Sequence, residues 1–120
     1  MLKRLVSATI WSHDLNNLLP FYRDTLGLKM GMQSERFVAF GEDENEPILG
    51  LGSHSEVSGR ASDPYRHMVG IESSDLDADF RRLKSAGVEF IEEPTDYDGM
   101  RIATLKDPEG NLVQLFQASS

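Results

Sequence analysis

The sequence predicts an α+β fold of two tandem βαβββ modules, and three observations lead there. The first is an internal echo: Asp14-Leu15 through Leu26-Gly27 returns as Asp75-Leu76 through Ala86-Gly87. Asp14 and Asp75 stand 61 positions apart and Gly27 and Gly87 stand 60 apart, so the second helix is one residue shorter. A repeat of this kind marks a duplicated supersecondary unit. The second is a change of period inside each copy. An alternating apolar run gives way to helical spacing and then, past the glycine, to strand-like runs (Leu28-Lys29-Met30 and Val88-Glu89-Phe90). The third is length: 120 residues make a single domain with a substantial core. Module one is placed at 1–55, a linker at 53–66 and module two at 67–118.

Residues 5–12 read as a strand with Ala8 and Ile10 on one face and Ser7, Thr9 and Trp11 on the other. Asp14 is a good N-cap. Leu15, Leu19, Tyr22 and Leu26 then form one helical stripe. Pro20 interrupts it, which predicts a kink, or a loose first turn with the regular helix starting near Pro20. Gly27 is a natural stop. Strands are expected at 28–33, 35–41 and 46–52, the last two joined by an acidic solvated turn over Glu42–Glu46. The linker is polar and rich in turn formers, a candidate mobile flap over a site.

In module two, 67–73 is a strand, and Asp75 caps a helix carrying Leu76, Phe80 and Leu83 that Gly87 ends. Strands follow at 88–92, 100–106 and 111–117, with a tight turn over Asp107–Asn111.

Composition narrows the function. A net charge of −8 argues against nucleic acid, which needs a basic face, and mildly favours cationic small molecules. No apolar stretch approaches the roughly 20 residues that span a bilayer, so no membrane partner is expected. The first residues have a basic start but no long apolar region, unlike a signal peptide. Zero cysteines exclude disulfides and thiolate chemistry and suit a reducing cytoplasm, the expected location. Gly50-Leu51-Gly52 is no dinucleotide fingerprint, because no third glycine or helix follows.

The two copies, with Phe21-Tyr22-Arg23-Asp24-Thr25-Leu26-Gly27-Leu28 in the first and Asp107-Pro108-Glu109-Gly110-Asn111-Leu112-Val113-Gln114-Leu115-Phe116 closing the second, resemble the vicinal oxygen chelate superfamily. That group includes glyoxalase I, extradiol dioxygenases, and fosfomycin- and bleomycin-resistance proteins, and the resemblance covers essentially the whole chain. It implies that the modules form a curved, half-barrel-like mixed sheet and that the protein is a homodimer. It also implies a place for metal ligands on the first strand of each module, the fourth strand of the first and the last strand of the second. A metal held there acts as a Lewis acid or activates oxygen.

Carried onto this chain, the four positions are Ser7, Gly50, Met68 and Gln114. Counting back seven residues from Asp14 gives Ser7, and from Asp75 gives Met68 rather than His67. Strand parity agrees, since Val69 and Ile71 then match Ala8 and Ile10 on the helix side. Bringing His67 into the cup needs a bulge. A hydroxyl, no side chain, a thioether and an uncharged amide make a poor divalent site. No metal and no cofactor are therefore expected.

Other residues have a bland and a functional reading. His13 is an exposed turn residue beside the cap, and His54 a solvated residue or a flap contact. Trp11 is packing or cup wall. Met30, Met32, Met68 and Met100 are fillers or an adaptable apolar wall. Glu72 inside the cup is the most informative charge, because a buried carboxylate needs a partner or a raised pKa. It pairs with an arginine such as Arg101, meets a cationic ligand, or acts as a catalytic base. Phe116 shares parity with Gln114.

The leading expectation is a metal-free protein that binds a small apolar or cationic molecule through Ser7, Thr9, Trp11, Met68, Glu72, Arg101, Gln114 and Phe116. The alternatives are a metal-dependent lyase, dioxygenase or ring-opening enzyme with non-standard ligands such as His67, Glu72 and Gln114, and a metal-free enzyme using Glu72 as base.

Overall fold

The computed structural model describes residues 1, 3, 6–41 and 48–118. The chain divides into two compact units, Met1–Gly59 and Arg60–Ser120. The first holds strands β1 (Ser7–Ser12), β2 (Met30–Gln33), β3 (Phe37–Phe40) and β4 (Ile48–Ser53). The second holds β5 (Met68–Glu72), helix α1 (Leu76–Ser85), β6 (Phe90–Tyr97), β7 (Met100–Lys106) and β8 (Leu112–Ala118). Each unit forms one four-stranded mixed sheet, in the order β1-β4-β3-β2 and β5-β8-β7-β6. The first strand of each unit runs parallel to the last, every other neighbour pair is antiparallel, and neither sheet closes into a barrel. This is the α+β fold of two tandem βαβββ-like modules that the repeat predicts. The expected acidic turn at 42–46, with Leu5 and Pro47, lies outside the described residues.

Both modules solve the same capping problem with the repeated residues. The first amides of a helix have no partner within the helix. Asp14 Oδ1 accepts from the Asn16 N–H at 3.0 Å, and Asp75 Oδ1 from the Ala78 N–H at 3.1 Å. Two residues earlier, Ser12 Oγ and Ser73 Oγ accept from the N–H of Asp14 and Asp75. A side chain at the end of the last strand completes each cap: Ser53 Oγ accepts from the Leu15 N–H at 2.9 Å, and Gln117 Oε1 from the Leu76 N–H at 2.8 Å. Ser-x-Asp-Leu is thus one repeated device.

Between cap and stop the modules differ. Among the described residues of module one there is no regular α-helix. The chain makes a 3-10 turn over Leu15–Asn17 and then, after Pro20, a π-helical turn over Phe21–Thr25. Pro20 stands just ahead of that turn, where a missing N–H leaves no bond unmade. The Leu26 N–H reaches five residues back to the Phe21 carbonyl at 2.8 Å. Such a turn holds one residue more than an α-turn, which accommodates the extra residue of the first copy. Both copies stop at a glycine with positive φ, 77° at Gly27 and 90° at Gly87. The next amide then folds back, Leu28 onto Tyr22 and Val88 onto Leu83.

One face of each sheet carries the core. In module one Leu15, Leu18, Leu19 and Tyr22 are buried, as are Val38, Phe40 and Leu51 of the sheet. In module two Leu76 and Leu83 are buried with Ala103, Leu105, Val113 and Leu115. Phe80 meets Phe90 edge-on at 4.8 Å.

The largest boundary correction is β6, expected to end at 92 and running to Tyr97. Pro94 would forbid this in a central strand, but β6 is an edge strand and its pairing with β7 shifts register between Glu92 and Thr95. The linker is tied to the turn between β7 and β8. The Ala61 N–H donates to the Glu109 carbonyl at 2.9 Å, and the Arg60 guanidinium to the Pro108 carbonyl at 3.2 Å. The turn itself matches expectation. Asp107 accepts from the amides of Glu109 and Asn111, and Gly110 has φ 83°.

Candidate ligand-binding site

Side chains directly opposite on neighbouring strands share a face. In module two Gly70 lies opposite Gln114 and Glu72 opposite Phe116, while Gln114 and Phe116 lie opposite Thr104 and Ile102. Glu92 continues the row beyond Thr104. These residues, with Met68, occupy the face turned away from α1. A cavity of about 410 Å³ opens there. Met68, Ile102, Thr104 and Gln114 form its floor, Ile91, Glu92 and Tyr97 its β6 wall, and Tyr65 comes from the segment before β5. The Tyr97 hydroxyl donates to Glu92 Oε2 at 2.6 Å. That bond, with partial burial and the nearby negative charge, holds the phenol above its ordinary ionisation range.

Of the residues singled out from the sequence, Met68 and Gln114 line this cavity. The β5–β8 register runs unbroken from Met68 to Glu72, with His67 exposed and outside it. Phe116 shares the face and lies against Gly70, where a Cβ would come 2.9 Å from its ring. Glu72 also shares the face, but it is exposed rather than buried. Its expected pairing with Arg101 does not form. Arg101 alternates with Ile102 onto the helix side, where it donates to Asp77 at 2.8 Å and Asp96 at 3.1 Å. Those two carboxylates, Asp77 first, raise its already high pKa.

Module one presents Ser7, Thr9 and Trp11 on one face, opposite Ile48, Gly50 and Gly52 of β4, with Phe37 opposite Gly52. Trp11 is 45% exposed. It packs against Phe37 at 6.2 Å between ring centres and meets His54 edge-on at 5.7 Å. The glycines make room for these rings. A Cβ on Gly50 would sit 2.7 Å from Phe37 Cζ and 2.9 Å from Thr9 Oγ1, and one on Gly52 would collide with the Trp11 indole. His54 is therefore a ring contact, its Nδ1 accepting from the Glu56 N–H, while His13 is exposed.

The metal positions implied by the resemblance do not suit a divalent ion. Ser7 supplies a hydroxyl, Met68 a thioether and Gln114 an uncharged amide. The space a ligand at Gly50 would need is taken by Phe37 and Thr9. Among the described residues no group of three or more His, Asp or Glu side chains could hold a metal.

Sequence reasoning missed Tyr65, Ile91, Glu92, Tyr97, Ile102 and Thr104. A signal for the β6 residues was present. Asp98-Gly99 lies between two β-like runs, and both residues have positive φ, 42° and 83°, as a two-residue hairpin turn requires. Taking that dipeptide as a hairpin extends β6 to Tyr97 and places Glu92 and Tyr97 on one strand beside the cavity.

The model of the Glyoxalase/Bleomycin resistance protein/Dioxygenase superfamily matches residues 4–115, and the chain belongs to that superfamily. A curated relative, the uncharacterized protein YwbC of Bacillus subtilis, is 26% identical over 98% of this chain and 99% of its own. Among solved structures, a protein of unknown function from Agrobacterium tumefaciens is 26% identical, with a TM-score of 0.77 over 98% of this chain and 96% of that one. TnmS3, an antibiotic binding protein from Streptomyces sp. CB03234, is similar in fold, with a TM-score of 0.76, 21% identity and 98% of each chain covered.

Proposed function

We propose that this protein binds a small apolar or cationic molecule without a metal, and that the module-two cavity receives it. The observation that carries the reading is the cavity of about 410 Å³ with Met68 and Gln114 in its floor. Its size suits a small-molecule site, typically about 300–1,000 Å³. Its wall combines apolar side chains with a few polar groups that set orientation. Glu72 and Phe116 extend the same face. Ser7, Thr9 and Trp11 are the corresponding surface of module one, and a homodimer in the cytoplasm is the assembly and location in keeping with it. The antibiotic-binding relative of the same fold supports ligand capture as a role.

Isothermal calorimetry against a panel of apolar and cationic compounds, including bleomycin-type drugs, tests this. Saturable heat that Met68→Arg abolishes is the expected result. Absence of heat from every compound overturns the proposal. So does one equivalent of tightly held transition metal in purified protein that His67→Ala removes.

A further inference from the structure

We propose that the module-two cavity selects an organic ammonium ion, with Glu92 as its counter-charge and Tyr65, Tyr97 and Met68 as the surface around it. This rests on the reading of that cavity as a small-molecule site and names the ligand class. Three carboxylates on or beside β6 have cationic partners elsewhere: Glu89 pairs with Lys106 at 3.1 Å, Glu93 with Lys84 at 3.6 Å and Asp96 with Arg101 at 3.1 Å. Glu92 differs. It is half-buried in the cavity wall, and no ion pair forms between its carboxylate and any Lys, Arg or His of the described residues. Its partner is the neutral Tyr97 hydroxyl, which fixes the carboxylate and leaves its charge uncompensated.

A partly desolvated carboxylate gains from an incoming cation and repels an anion. The rest of the wall favours the same ligand. Tyrosine faces attract an ammonium group, and a methionine thioether is polarizable. Ile91 and Ile102 accept the apolar body, while Thr104 and Gln114 add no charge. Glu92 is thus the only formal charge among the described residues that line the cavity.

Three indoles that differ in the charge of the side arm test the proposal at neutral pH: tryptamine (cation), tryptophol (neutral) and indole-3-propionate (anion). Binding is read from the Met68 methyl resonance in 13C-methyl-methionine protein, assigned with Met68→Leu. Tryptamine is expected to bind about tenfold tighter than tryptophol, and indole-3-propionate weakest. Glu92→Gln keeps an oxygen for the Tyr97 hydroxyl, and it should bring tryptamine within about twofold of tryptophol. In wild-type protein the preference should also shrink as salt rises to about 0.5 M, a readout that needs no variant. Equal binding of tryptamine and tryptophol overturns the inference and leaves the small-molecule site standing. A preference that survives both Glu92→Gln and high salt overturns it as well. Silence of Met68 with all three compounds removes the site reading and the inference together.

Discussion

Module one puts its aromatic ring on the first strand and its glycine on the last: Trp11 lies over Gly52. Module two reverses the order, with the ring of Phe116 on the last strand lying over Gly70 on the first. Gly50 and Gln114 also hold equivalent places, since Gly50 faces Thr9 as Gln114 faces Gly70. In module one that place is roofed by Phe37, and in module two it opens into the cavity. The caps and stops, meanwhile, are nearly identical. The backbone plan resides in a few polar residues at strand and helix ends, so the face side chains are free to diverge.

The difference predicts unequal responses to the same kind of change. Gly52→Val should be the most costly, about 1–3 kcal/mol in urea unfolding, because the new side chain must push the indole off the strand. A shift in tryptophan emission should accompany it. Gly70→Ala meets one ring edge and should cost less than Gly52→Val; an equal or larger loss would break the contrast. Asp75→Ala should lose about 1 kcal/mol, since it uncaps a ten-residue α-helix. Asp14→Ala should lose less, because Asp14 caps a three-residue 3-10 turn, and equal melting temperatures for the two variants would remove that distinction.

The smallest effect concerns Tyr97. Its phenol should ionise above the ordinary value of about 10 in an ultraviolet titration, and Glu92→Gln should bring it down. The sign follows from the bond. Folding favours the protonated phenol, so that contribution is complete below the unfolded value and fades as pH rises through the folded one. A Tyr97 that titrates identically in both proteins would separate it from Glu92.

Much of this plan was legible in the residues. The Asp-Leu echo and the paired glycines fixed the modules, because caps and stops depend on local chemistry. Parity from Asp75 put Met68, not His67, on the open face for the same reason. The π turn was hidden, since Pro20 and the stripe of Leu15, Leu19, Tyr22 and Leu26 predict an interruption without its form, and buried Leu18 falls off that stripe. Arg101 was misplaced because parity was never applied to β7. Tyr97 was missed because the strand was expected to end at 92, whereas β6 is an edge strand that tolerates Pro94 and runs on to Tyr97.

The amide of Leu76 waits for Gln117, 41 residues later, and that of Leu15 for Ser53, 38 residues later. Each bond ties a module's opening to its close. On a ribosome, a nascent module therefore keeps a loose helix start until its final strand has left the exit tunnel. Translation that stalls before Gln117 should leave the second unit protease-sensitive while the first is already shut.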